Sequence, residues 1–467
     1  MKRIYKINKV FIFMMAIAFT LSSCEYGSID EDPTRVDEST VPVNVIMPIM
    51  QTQSHRNITA GLGRLSGIVM QQWNGADAQQ LGYTSYVIGE NDTNNFWDTG
   101  IYVGSMRDCV QIIEKTSDTD GVHSRGLAKI YLAANIGMVT NSWGDAPFSE
   151  AFQGEDNLFP SYDTQEALYA TIFRLLTEAE NDLLATDPTR TNPNVIPGSL
   201  ITMDNAGWIK VANALKARYY IQLSKRDPDA ANKALAAIAK AMDSNADQAQ
   251  FSWGDSKPSG NPLAIFGVDR PGTMIIEPQF EAMMTGDPRK DSYMVASGTD
   301  YLYFENDNTD LFWAQFESPG LLMTYAEQKF IEAEAIERNG GDGTAALVAG
   351  VTANMEFIGV AAGDITTYTA GLALGGTLEA DIEVIIVEKY KALYGNTPIE
   401  VWNDYKRTGY PALTPNANGS NGFNPSGVIP RRWLYPISER TANFASLEEA
   451  ISRQGGHLLD NSTWAFD

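Results

Sequence analysis

The chain has 467 residues, 44% hydrophobic and 20% charged, which is too apolar for a disordered chain and too long for one small domain. Its 34 basic and 58 acidic residues give a formal net charge of −24, which repels phosphate backbones and argues against nucleic acid; it also disfavours polyanionic glycans unless a local basic pocket overrides it. Two cysteines, Cys24 and Cys109, exclude a disulfide scaffold, and three histidines without ligand spacing (His55, His123 and His457) argue against zinc.

The first expected element is an address. Lys2, Arg3, Lys6 and Lys9 precede a twelve-residue run, Val10 to Leu21, broken only by Thr20. That run has the length of a signal-peptide core and is too short for a stable membrane-spanning helix. It ends in Leu21-Ser22-Ser23-Cys24, which resembles the lipobox of bacterial lipoproteins. Residues 1–23 are expected to be a lipoprotein signal peptide, with Cys24 acylated. Residues 24–40 are expected to be an acidic flexible tether, and 41–467 a single helical ligand-binding domain. Cys109 lies among Met106, Val110 and Ile113, which predicts a buried structural thiol.

Further along, helical periodicity dominates. Leu127, Ile130, Tyr131, Ala134 and Met138 mark a helix over 124–139. Leu168, Ile172, Leu175, Leu176, Ala179 and Leu183 mark another over 163–185, with Asp163 and Glu166 in capping-box spacing. A third, 204–224, carries Trp208, Val211, Leu215 and Tyr219, with Asp204 as N-cap. Met274-Ile275-Ile276 and Tyr301-Leu302-Tyr303-Phe304 are the best strand candidates. Helices resume over 321–338, stopped by Gly340-Gly341, and over 381–394, ending at Gly395. Thr397-Pro398-Ile399-Glu400 then reads as N-cap, first-turn proline and capping-box glutamate. Long loops rich in Asn, Asp, Gly and aromatics separate these elements at 73–98, 141–162, 251–273, 286–318 and 410–436.

Catalytic signatures are missing: no nucleophile elbow, Walker A loop, H-E-x-x-H or C-x-x-C occurs. Gly61-Leu62-Gly63-Arg64-Leu65-Ser66-Gly67 misses the dinucleotide spacing and reads as a helix start or turn. Asn306, Asn308, Asp310 and Glu317 mimic part of a calcium loop. Asn opens it where Asp is required and Leu311 replaces the glycine, so structural calcium is without support and no cofactor is expected. A paired-carboxylate glycosidase stays open, because sequence does not give the separation of two acids.

Several stretches together resemble the SusD/RagB family. Arg125-Gly126-Leu127-Ala128-Lys129-Ile130-Tyr131 leads to Trp143-Gly144-Asp145-Ala146-Pro147-Phe148-Ser149-Glu150-Ala151. Gly207 to Arg218, Asp287-Pro288-Arg289, Tyr325 to Ala335 and Glu400 to Pro411 follow in the family's order and spacing. The resemblance implies a mainly α fold, with tetratricopeptide-like helix pairs packed against a loop-rich irregular half. It also implies a non-catalytic lipoprotein of the outer membrane, exposed at the cell surface. Such a protein partners a TonB-dependent, SusC-like transporter and captures an oligosaccharide or, in some members, a peptide. Trp208, Trp402 and Tyr325 lie on apolar stripes and are expected in the core; Arg407 and Arg431-Arg432 are expected to pair with helix-borne acids such as Glu400 or Glu334.

Sugar binding needs flat apolar rings with amide, carboxylate or hydroxyl groups nearby. On composition, two loops qualify. One offers Trp73, Asn74, Asp77 and Tyr83, the other Tyr301, Tyr303 and Trp313. A neutral oligosaccharide is the expected ligand. A peptide-binding lid of the same transporter and a lipid-anchored glycoside hydrolase are the alternatives.

Overall fold

Side-chain caps set where the main helices begin. Asp204 accepts from Gly207 N at 2.8 Å and opens Asn205–Gln222, as its position predicted. Thr164 opens Gln165–Leu184, Thr324 opens Tyr325–Arg338 and Thr377 opens Leu378–Ala392, each accepting from a backbone N–H three residues on. Asp163 does not cap. Its carboxylate instead accepts from Phe148 N, Ser149 N and Ser149 Oγ, pinning the preceding loop. Thr397 makes no capping bond either, although Pro398 does open Pro398–Thr408 and Gly409 closes it in the left-handed region, φ 84°. The expected capping-box partner, Glu400, turns inward and accepts from Gln222 Nε2 at 2.7 Å and Asn403 Nδ2 at 3.1 Å.

The computed structural model describes residues 40–305 and 310–467. Cys24, the signal segment, nearly all of the expected tether, and Asn306 and Asn308 of the calcium-like loop lie outside the described residues. Four helix pairs follow in chain order. They are Val122–Trp143 with Gln165–Leu184, Asn205–Gln222 with Ala230–Ile238, Tyr325–Arg338 with Thr344–Phe357, and Leu378–Ala392 with Pro398–Thr408. Tyr325–Arg338 is the hub, touching Asn205–Gln222, Ala230–Ile238 and Leu378–Ala392. Phe330, Ala333, Leu347, Val351, Met355 and Ile385 fill its seams. Trp208 and Trp402 are buried as expected, whereas Tyr325 only half-buries against this cluster. Cys109 is buried, and burial raises its thiol pKa well above the ordinary value, so it is a packing residue.

Several buried charges inside the helical half are paired. Arg407 grips Glu334 and, at 2.8 Å, Asp404, which also meets Lys389 Nζ at 2.8 Å. Arg218 binds Glu327 at 2.6 Å. Burial alone would raise the pKa of Glu334, but Arg407 and Arg338 hold it at about 2.

The other half is irregular. Four two-stranded antiparallel ribbons occur among the described residues: Trp73–Gly75 with Met274–Ile276, Ala146–Pro147 with Tyr162–Asp163, Gln250–Phe251 with Gly320–Leu321, and Val295–Ser297 with Asp300–Leu302. The helix Val43–Arg56 runs through a π-helical turn, Asn57–Gly61, into Leu62–Val69. The turn's signature is the Leu62 N–H bonding to Asn57 O, five residues back. No helix among the described residues is long and apolar enough to cross a membrane.

Candidate functional site

Most of the aromatic residues expected to line a site are core. Trp73 is fully buried, its Nε1 donating to Tyr394 Oη at 3.1 Å. Gly67 makes room for it: a Cβ there would lie 2.4 Å from the indole ring. Tyr303 is buried 6.2 Å from Trp73, centroid to centroid. Trp313 is 2% exposed and packs on Phe312 and Phe357. Tyr83 is buried and donates to Asp92 at 3.2 Å. These four rings are buried and present no open face to a ligand. Asn74 is half-buried and accepts from Thr84 Oγ1 at 3.3 Å; Asp77 is exposed and caps Ala78–Thr84 through Ala78 N. Tyr301 is half-buried under Lys290 Nζ, 4.5 Å from its ring centroid. The structure thus brings Trp73 and Tyr303 together inside the protein and leaves Trp313 apart from them.

The concavity lies beside them. A cleft of about 1450 Å³ is walled by the helix through Thr52, Arg56, Ala60 and Arg64, by Ala78, Gln79 and Gln80, and by the loop and helix from Phe251 to Thr273. Its rings are Phe251, Trp253 and Phe266; the last two are half-buried. Sequence reasoning named 251–273 only as a long loop. The local signal was Phe251-Ser252-Trp253-Gly254, aromatics set in a run of turn formers.

The wall has a supported back. His55 stacks on Phe251 at 4.8 Å, and Phe251 meets the edge of Trp253 at 4.7 Å. His55 Nε2 lies 3.0 Å from Tyr131 Oη, and burial lowers the histidine pKa to about 3, so the imidazole is neutral. Arg64 lays its guanidinium over Phe266, 4.1 Å from the centroid. Burial lowers the Arg64 pKa from its ordinary value, with Tyr303 and Tyr83 near it. Gln79 Nε2 donates to Asp92 at 2.8 Å, while Gln80 Oε1 is buried without a partner among the described residues.

The cleft-facing row has a geometric cause. Four-residue steps from Thr52 to Arg64 would drift by about 120° around an α-helix. The π-turn inserts one residue, about 100°, and brings the drift back to about 20°. Thr52, Arg56, Ala60 and Arg64 therefore line one wall. The lining holds four cations (Arg56, Arg64, Lys257 and Arg270) and one carboxylate, Asp269, which is ion-paired with Lys257. Among the described residues no group of three or more His, Cys, Asp or Glu is placed to hold a metal.

The fold has solved counterparts. A chitin-binding protein superposes with a TM-score of 0.77 at 22% identity, over 91% of this chain and all of its own. A SusD homologue from Bacteroides fragilis gives 0.73 at 23% identity, over 90% of this chain and all of its own. A SusD/RagB family protein from Bacteroides thetaiotaomicron gives 0.74 at 21%, over 91% and 99%. No curated protein matches the chain. The profile of the SusD-like family, described as starch-binding and associating with the outer membrane, matches residues 33–436. With that match spanning most of the sequence and with helix pairs set against an irregular half, the chain belongs to the SusD-like family.

Proposed function

We propose that this protein captures an oligosaccharide in the cleft between the Thr52–Arg64 row and the 251–273 loop. It then passes the sugar to a TonB-dependent, SusC-like transporter while tethered to the outer-membrane surface by acylated Cys24. The observation that carries the reading is the cleft itself: half-buried Trp253 and Phe266 beside the Gln79 and Gln80 amides, the combination that pyranose rings and their hydroxyls require. The family description and the chitin-binding protein of the same fold support a glycan ligand.

The acids of the described lining support binding without cleavage. Glycosidases need two carboxyl groups, about 5–5.5 Å apart for retention or about 6.5–9.5 Å for inversion. The described lining offers Asp269 alone, and Lys257 holds it.

Calorimetry on Trp253→Ala and Phe266→Ala tests the site. Each truncation is expected to weaken oligosaccharide binding by about 1–3 kcal/mol. Unchanged affinity in both variants would move the site elsewhere. Cys24→Ser should release the protein from membranes, and metabolic palmitate labelling that finds no acyl chain on the wild type would remove the anchor.

A further inference from the structure

We infer that the oligosaccharide held in this cleft is acidic, carrying carboxylates or sulfate esters that Arg64, Arg56 and Arg270 engage. The inference rests on the reading of the cleft as the glycan site, and it reverses the neutral ligand that the overall charge suggests. A chain of net charge −24 concentrates three surplus positive charges in this cleft. A field of that sign inside an acidic envelope focuses anions at the cleft.

Arg64 is the sharpest sign. Several buried cations elsewhere are ion-paired: Arg218 with Glu327, Arg289 with Asp287 and Glu388, and Arg407 with Glu334 and Asp404; buried Arg432 has no carboxylate and donates to Trp433 O and Gln454 Oε1. Lys406, which lacks a close carboxylate, donates to Asn141 O and sits over Trp402. Arg64, Arg56 and Arg270 have no carboxylate within 4 Å and no side-chain acceptor among the described residues. Arg64 is nonetheless half-buried, so its charge is partly desolvated without compensation. Its guanidinium lies over the Phe266 ring, and its N–H groups can donate to a carboxylate or sulfate through two parallel bonds. Arg56 stands on the same row, eight residues or about 12 Å of rise away, so a linear ligand can meet both. The only described carboxylate of the lining is neutralised by Lys257 and does not repel an anion.

Calorimetry of the full chain in detergent decides this with matched probes: uronic-acid oligosaccharides beside their carboxyl-reduced forms, sulfated ones beside their desulfated forms, and neutral glucan and chitin oligomers. At least one acidic member is expected to bind about tenfold or more tightly than its neutral twin. That preference should shrink as salt rises, and Arg64→Gln, Arg56→Gln and Arg270→Gln should remove it. Whether the uronate or the sulfated pair responds identifies the anion. Equal binding of acidic and neutral twins would overturn the charge preference and leave the cleft as a glycan site. An acidic preference that survives all three substitutions would overturn the assignment to these arginines. Binding of no glycan at all would sink the cleft reading and this inference with it. Arg56 and Arg270 are exposed, so their variants keep the test valid should Arg64→Gln fold poorly.

Discussion

Arg407 in the helical half and Arg64 on the cleft wall are the same side chain under opposite regimes. Arg407 is buried on Pro398–Thr408 and ion-paired, binding Glu334 from a second helix and Asp404 from its own. Arg64 is half-buried, stacked on Phe266, and faces no carboxylate among the described residues. Asp404 carries Lys389 as well, so one cluster ties three helices together. Ion pairs of this kind hold the helices in place, and on the cleft wall Arg64 has no such pair among the described residues.

The contrast breaks first at Arg407. Arg407→Ala leaves Glu334 buried with only Arg338 beside it, and should lower stability by about 3–5 kcal/mol in chemical denaturation. Trp73→Ala empties a fully buried site and should cost about 3–5 kcal/mol, whereas Trp253→Ala, at a half-buried position, should cost much less. Equal denaturation midpoints for the two tryptophan variants would contradict the division into core ring and cleft ring.

Acid gives a smaller effect behind the cleft wall. The unfolded chain protonates His55 near its ordinary value of 6.5, while the folded chain resists down to about 3. Stability therefore falls as pH drops from 6.5 toward 3. His457, lowered to about 4, acts in the same direction. Glu334 adds its own loss only below 4.5, as pH falls toward about 2. Between pH 6.5 and 4.5 the decline in denaturation midpoint should be shallower in His55→Phe than in the wild type. The smallest expected effect is at Arg64. Arg64→Met removes an uncompensated cation and should leave stability within about 0.5 kcal/mol or raise it; a loss near that of Arg407→Ala would erase the contrast between the two regions.

Elements whose cause is local were legible in the sequence. Asp204 caps its helix, Cys109 is buried, and Trp208 and Trp402 fall on buried stripes, because periodicity and capping are written within a few residues. Glu400 was misread for the opposite reason. Its capping spacing lost to Gln222, brought in from another helix. Trp73 was misread because its partners are remote: Tyr394 takes its N–H and Ile276 pairs with it across the ribbon. Gly67, six residues away, opened the space, but a glycine in a helix does not announce what fills it. The cleft row was illegible because no propensity in Asn57-Ile58-Thr59-Ala60-Gly61 signals the extra residue of a π-turn.

That π-turn makes a spiral into a rail. Side chains at even four-residue steps along an unbroken helix would wind away from any straight object laid beside them, and one interpolated residue at Asn57–Gly61 cancels the winding. The consequence is a built-in ruler. An extended chain long enough to reach from Arg64 to Arg56 meets two charges, and a shorter fragment meets one, so affinity should rise in a step with oligomer length rather than evenly per ring.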